Sequence, residues 1–295
     1  DGAVRLVHRG LSIVDLSPAG HQPMASANGT LWITFNGEIY NFLELRSDLI
    51  ARGHRFTTTS DTEVLVHLYE DVGERLPEYL NGMFAFVIWD SRKQELLLVR
   101  DRFGKKPLYY TESIGGFRIC FASELKAIIE APGFSPVVNA QSVVDFLSLS
   151  YVPDPATIYE RVYKLQPGHA IKVTRTGLRM WRYWSPEFVA SNLRFEDAVE
   201  QIQAPAADAV ARRMISDVPL GAFLCGGVDS SAVVGLMSQQ ASDHVKTFSI
   251  GFTEGSFDEL PYAKLAAERH GTDHHEEVVN EAIPDVLDQL VEHFH

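Results

Sequence analysis

The chain has 295 residues, 45% hydrophobic and 22% charged, with 26 Lys and Arg against 39 Asp and Glu and a formal net charge of −13. That length and composition suit two ordinary globular domains, and the acidic balance argues against a general binder of nucleic acid or of membrane surfaces, leaving small molecules and proteins as partners. Cys120 and Cys225 are too few and too far apart for a disulfide framework, and no apolar run has the length of a membrane span or the pattern of a signal peptide, so a reducing cytoplasm is the expected compartment.

In chain order, residues 30–35 alternate as a half-buried strand and run into NGEIYNF at 36–42. On composition alone the Asn-Gly pair reads equally as a hairpin turn. TTSDTEVL then leads a helix, and NGMFAFVIWD and ELLLVRDRFGKKPLYY supply further strands. Cys120, in FRICFAS, has an apolar strand context and is expected to be a buried core thiol, not a nucleophile. The polar stretch 185–192 marks the expected boundary, with domains over 1–188 and 189–295.

Beyond it, residues 219–224 read as a short buried strand and 230–237 as a packed helix, with Leu224, Cys225, Gly226, Gly227, Val228, Asp229, Ser230 and Ser231 at the junction. The two glycines let a ligand approach the main chain, and the free N–H groups and dipole of the helix start attract anions. The Walker lysine is missing, which excludes a P-loop kinase or GTPase, and Asp229 beside phosphates requires a divalent cation, here Mg²⁺. A plain strand-to-helix turn capped by Asp229 and Ser230 is the alternative. A second buried strand at 246–252, a helix at 258–270 and a third strand at 274–279 then imply a parallel sheet with ligand at its carboxyl ends. His274 and His275 read as polar strand-end residues, since no cysteine or carboxylate repeat accompanies them.

CGGVDSS resembles the S-G-G-x-D-S pyrophosphate loop of ATP-pyrophosphatase enzymes, and RMISDVPLGAFL is similar to its approach in glutamine-hydrolysing asparagine synthetases. TFSIGF resembles the segment whose backbone meets adenine, at Ile250 and Gly251, and SFDELPYAKLAAE resembles the next helix. HRGLSIVDLSPAGHQPM, FNGEIYN, SDTEVL, LNGMFAFVIWD, RDRFGKKPLYY, FASELKAI and YVPDPATIYERVYKLQPGH follow the order of the class II glutamine amidotransferase domain. The resemblance implies a four-layer α+β fold of the N-terminal-nucleophile type followed by an α/β, Rossmann-like ATP-pyrophosphatase domain, both incomplete.

It further implies an oxyanion hole from the Asn36 amide and the Gly37 N–H, where preset donors are worth several kcal/mol. Glu38 and Asp61 match residues that hold glutamine's polar groups, Asp61 facing the α-ammonium, and Leu11, Ile13 and Val14 match the strand lining that pocket. ATP and Mg²⁺ are the implied cofactors, glutamine and a carboxylate such as aspartate the partners, and a homodimer is compatible with the family.

Three departures stand out. The family nucleophile is an N-terminal cysteine, whereas this chain begins Asp1-Gly2 with no cysteine before Cys120, so it reads as an internal fragment unable to hydrolyse glutamine by that route. Gly10 replaces a carboxylate-binding arginine, and the adjacent Arg9 is expected to point to the opposite strand face. Cys225 replaces the loop's first serine with a weaker donor. The expected function is ATP-driven amidation of a carboxylate through an acyl-adenylate, with the same scaffold acting on another carboxylate, or a non-catalytic relative binding nucleotide or protein, as the alternatives.

Overall fold

The computed structural model describes residues 4–10, 13–253, 258–279 and 283–294, and the chain divides into two compact units, Asp1–Phe188 and Val189–His295. In the first unit the elements are β1 (Met24–Ala25), β2 (Leu31–Ile39), α1 (Phe42–Ala51), α2 (Asp61–Val72), β3 (Gly82–Asp90), β4 (Glu95–Arg100), β5 (Tyr109–Ile114) and β6 (Phe117–Ala122). They continue through α3 (Leu125–Ile129), α4 (Ala140–Leu149), β7 (Tyr163–Lys164), β8 (His169–Val173) and β9 (Leu178–Arg182).

An antiparallel sheet in the order β1-β2-β3-β4-β8-β9 is the spine of this unit, and a second antiparallel sheet runs β6-β5-β7. The period-2 pattern splits each central strand between two cores. Phe84, Phe86 and Ile88 of β3, with Leu97 and Val99 of β4, pack against Leu49 of α1 and Val64, Leu65 and Leu68 of α2. Their neighbours Ala85, Val87, Leu96 and Leu98 face Tyr110 and Ile119 of the smaller sheet and Leu108 just before it. α3 lies on that sheet through contacts to β5 and β6, so the layers run helix, sheet, sheet, helix.

The RDRFGKKP segment is a folded loop between β4 and β5, and only its first residue belongs to a strand. The Asp101 carboxylate accepts from the backbone N–H groups of Phe84, Phe103, Lys105 and Lys106. Arg100, 8% exposed, donates to the carbonyls of Gly104, Lys106 and Leu165 and meets Asp154 Oδ2 at 3.0 Å. The charged residues therefore satisfy backbone groups that this irregular loop leaves outside any strand or helix.

The second unit contains α5 (Phe195–Arg213), β10 (Gly221–Phe223), α6 (Val228–Gln240), β11 (Lys246–Phe252), α7 (Leu260–His270), β12 (Asp273–Val279) and α8 (Ile283–Phe294). Its three strands are parallel, in the order β10-β11-β12, with α6 and α7 as the crossovers. The expected buried strands are corrected here: in β11 Thr247, Ser249 and Gly251 are buried, while Phe248 and Ile250 are 41% and 55% exposed. In the β10 region Leu224 is buried but Phe223 is exposed. α7 packs on this sheet through β11 and β12, and Phe248, Ile250 and Phe252 are exposed on the other face of β11. No helix among the described residues is long and apolar enough to cross a membrane.

Candidate functional site

The first unit holds a pocket of about 1460 Å³, lined among others by Ile13, Val14, Asn36, Gly37, Glu38 and Asp61. The hairpin reading of Asn-Gly is overturned, because both residues lie inside β2, where Asn36 pairs with Ala85 and Gly37 with Phe84. Only glycine fits at position 37: its φ is +154° and a Cβ there would stand 2.0 Å from the Met83 carbonyl oxygen. Asn36 Nδ2 donates to Ser123 Oγ at 3.3 Å, which ties the amide to the loop after β6. Leu11 lies outside the described residues.

Asp61 is the first residue of α2, and the hydroxyl of Ser60, its N-cap, accepts from the Thr62 N–H. Its Oδ2 accepts from the Ile39 N–H at 3.0 Å, which binds the helix start to the end of β2. Burial pushes the Asp61 carboxyl up to about 6, and the negative charge of Glu38 adds to the rise. Since the unfolded group ionises near 3.8, the folded chain holds a proton between those values that the unfolded chain has lost. Its contribution to stability is therefore full below about 4 and falls away as pH rises toward 6, by about 3 kcal/mol. Melting curves of wild type and Asp61→Asn should converge near pH 4 and separate by pH 7, with the variant the more stable; parallel pH profiles would refute the assignment.

Two expectations about neighbouring residues are corrected. Residues 4–10 form no strand, so the alternation that would turn Arg9 away does not apply, and Arg9 and Gly10 both line the pocket. Cys120 is half-buried and also lines it; burial raises the thiol pKa, which keeps it protonated and a poor nucleophile. Sequence reasoning missed Gln22, whose Oε1 accepts from the Phe35 N–H at 2.6 Å and whose Nε2 reaches Thr62 Oγ1 at 3.4 Å. Only its place in GHQPM could have pointed to it. Asp15 follows the lining residue Val14: hydrogen bonds from Ser17 and Thr59 hold its carboxyl below the usual range against the effect of burial.

In the second unit, residues 224–231 leave the carboxyl end of β10 and enter α6, which starts at Val228, two residues before the expected position. Leu224 N–H donates to the Phe248 carbonyl at 2.9 Å and Ser249 Oγ donates to the Leu224 carbonyl, which sets this loop against β11. Gly226 has φ +77°, and a Cβ on it would lie 2.5 Å from the Ala263 nitrogen, so the loop backbone presses on the start of α7. No side chain caps α6 at Gly227, and Asp229 is exposed in its first turn. Cys225 is exposed, with Sγ 3.1 Å from Ser230 Oγ; that hydrogen bond lowers its pKa. Ser231 is half-buried. Ile250 projects from the open sheet face and Gly251 is packed under Leu260. His274 bonds to Thr247 Oγ1 at 2.8 Å and His275 stacks on Phe248.

Residues 1–184 match the family described as glutamine amidotransferase domain, and residues 202–295 match asparagine synthase. The chain is 36% identical, over 97% of its length, to the glutamine-hydrolyzing asparagine synthetase 3 of Bacillus subtilis (strain 168). It is 37% identical over 97% of its length to asparagine synthetase 1 of the same organism. It spans about half of those relatives, 48% and 45% of their lengths. A solved glutamine phosphoribosylpyrophosphate amidotransferase from B. subtilis aligns with 86% of this chain and 48% of its own, at 20% identity and a TM-score of 0.39.

Proposed function

Because the chain belongs to the glutamine amidotransferase domain family, we propose that the whole protein takes ammonia from glutamine and uses ATP to amidate a carboxylate, aspartate first, through an acyl-adenylate with release of AMP and pyrophosphate. The observation that carries the glutamine half is the pocket in which Asn36, Gly37, Glu38 and Asp61 converge from β2 and α2. In this reading the Asn36 amide and the Gly37 N–H stabilise the tetrahedral oxyanion, and Asp61 and Glu38 receive the ammonium of glutamine. A cation at Asp61 also offsets the burial of its charge, so ligand binding and ionisation favour each other. Arg9, facing the same pocket, takes the glutamine carboxylate in place of the arginine that Gly10 replaces.

For the ATP half the support is the donor set at 225–231: unpaired N–H groups at the start of α6, hydroxyls at Ser230 and Ser231, and the exposed Asp229 carboxylate. These residues fit pyrophosphate with Mg²⁺, which Asp229 would hold and which neutralises phosphate charge when bound. Ile250 and Gly251, at the carboxyl end of β11, are the proposed adenine contacts. The four-layer unit is read as an N-terminal-nucleophile amidotransferase fold, the parallel unit as a Rossmann-like ATP-pyrophosphatase domain with the boundary at 188 and 189, and the compartment as the cytoplasm.

The test is pyrophosphate release by the whole protein with glutamine, ATP, Mg²⁺ and aspartate. Asp229→Ala should lose both release and magnesium-dependent ATP binding. Cys225→Ser, which replaces a weak donor by a good one at an exposed position, should preserve release or raise it by at most about tenfold. ATP binding that ignores both Mg²⁺ and Asp229→Ala would reduce the loop to a turn.

A further inference from the structure

Away from the pocket, on the far part of α2, three ligand atoms converge. His54, in the turn after α1, presents Nδ1 at 3.2 Å from His67 Nδ1, and Glu70 Oε2 lies 3.1 Å from His67 Nδ1 and 3.7 Å from His54 Nδ1. Imidazole nitrogen and carboxylate oxygen sit about 2.0–2.2 Å from zinc, so two tetrahedral ligands are about 3.4 Å apart. The three observed separations bracket that value.

The surrounding carboxylates decide where the ring protons go. Asp71 Oδ1 lies 2.8 Å from His54 Nε2, and this contact takes a proton on Nε2 and leaves Nδ1 bare. His67 Nε2 is buried with no hydrogen-bond partner and faces Glu63 Oε1 at 3.7 Å. Glu63 is itself a saturated acceptor, since it receives the N–H and hydroxyl groups of Thr57 and Thr58. A proton on His67 Nε2 suits that neighbour and bares its Nδ1 as well. Two ring lone pairs and a carboxylate oxygen then point at one another, an arrangement that repels unless a cation stands between them. Carboxylates behind each ligand histidine are the usual outer shell of a metal centre. Charge agrees: Glu63, Glu70 and Asp71 are opposed by Arg52, which meets Asp71 at 3.3 Å, leaving a net charge that a divalent ion balances. Phe56 packs edge-on against the His67 ring and walls the site on one side.

We propose that His54, His67 and Glu70 form a zinc-type divalent metal site, with Asp71 and Glu63 orienting the two imidazoles, that clamps the turn after α1 onto the helix carrying Asp61. Two imidazoles and one carboxylate suit Zn²⁺ with a fourth position for water. The arrangements that need no metal have a proton on His67 Nδ1 donated to Glu70 Oε2, with the imidazole either neutral or carrying a second proton toward Glu63.

Zinc chloride titrated calorimetrically into the chelator-treated full chain distinguishes them. One equivalent should bind and raise the melting temperature by several degrees, and cobalt in its place should give the visible absorption of a four-coordinate ion. Glu70→Gln and His54→Asn, both on the rim of the site, should weaken zinc affinity by about 100-fold or more and Asp71→Asn by about tenfold. The melting temperature of each metal-free variant, set against the metal-free wild type, separates loss of binding from loss of fold. Absence of saturable binding, or binding and stabilisation unchanged in the Glu70 and His54 variants, overturns the site.

Discussion

Gly37→Ala should unfold the first unit at a temperature about 4–24 °C below wild type. The added Cβ meets the Met83 carbonyl oxygen at 2.0 Å, the Phe84 Cα at 2.8 Å and the Met83 carbonyl carbon at 3.0 Å, all backbone atoms of the neighbouring strand. A flexible side chain could swing aside, but here relief requires β2 and β3 to separate, along a ladder that runs unbroken from Leu31–Asp90 to Ile39–Gly82. The φ of +154° adds conformational strain for any L side chain. Overpacking of this kind costs about 1–3 kcal/mol and an unfavourable backbone region about 1–3 kcal/mol more, and each kcal/mol lowers the melting temperature of a unit this size by about 2–4 °C. The same change displaces the Gly37 N–H proposed for the oxyanion, so glutamine hydrolysis by the whole protein should fall with the stability. A melting temperature within about 2 °C of wild type would mean that the strands part far more easily than their register implies.

The second large effect is expected at Arg100, which touches neither candidate site. Arg100→Met keeps much of the aliphatic stem and removes every donor, stranding the carbonyls of Gly104, Lys106 and Leu165. Asp154 retains Lys164 at 3.3 Å, so the loss falls mainly on the carbonyls. A buried acceptor left unsatisfied costs about 1–3 kcal/mol, so three stranded carbonyls should cost about 3 kcal/mol or more. Arg100→Lys should recover little, because a single ammonium cannot reproduce a planar fork that reaches several acceptors. Urea titration measures this directly; a loss below about 1 kcal/mol for Arg100→Met would show that water replaces the guanidinium, and that the loop is less closed than its hydrogen bonds indicate.

How far these features can be read from the sequence depends on whether their cause is local. The alternation in β2, β3 and β4 is a pattern of single residues, and the strands form where it predicts. The start of α2 is equally legible, since Ser60 and the acidic residues that follow are a local capping signal. Asn36-Gly37 is ambiguous because the pair suits a turn; what decides against the turn is Met83 and Phe84 across the sheet, far away in sequence. Arg9 escapes the alternation rule because that rule presumes a strand, and residues 4–10 are irregular. RDRFGKKP reads as part of a strand, whereas the Asp101 carboxylate gathers the N–H groups of a folded loop, a role visible only once that loop is closed. β11 looks like a strand buried on both faces, but its apolar residues lie on the open side and its small polar ones under the helices.

The helix α2 ties two of these places to one rigid rod. Asp61 at its first residue enters the pocket, and His67 and Glu70 on its later turns meet His54. Every residue of an α-helix advances the chain by about 1.5 Å and turns it by about 100°. Adding or deleting one residue between Asp61 and His67 would therefore carry one of the two groups to another face of the rod, however conservative the inserted side chain. The side chains along this stretch are held by burial of Val64, Leu65 and Val66, and its length is fixed separately, by the demand that both ends stay in phase.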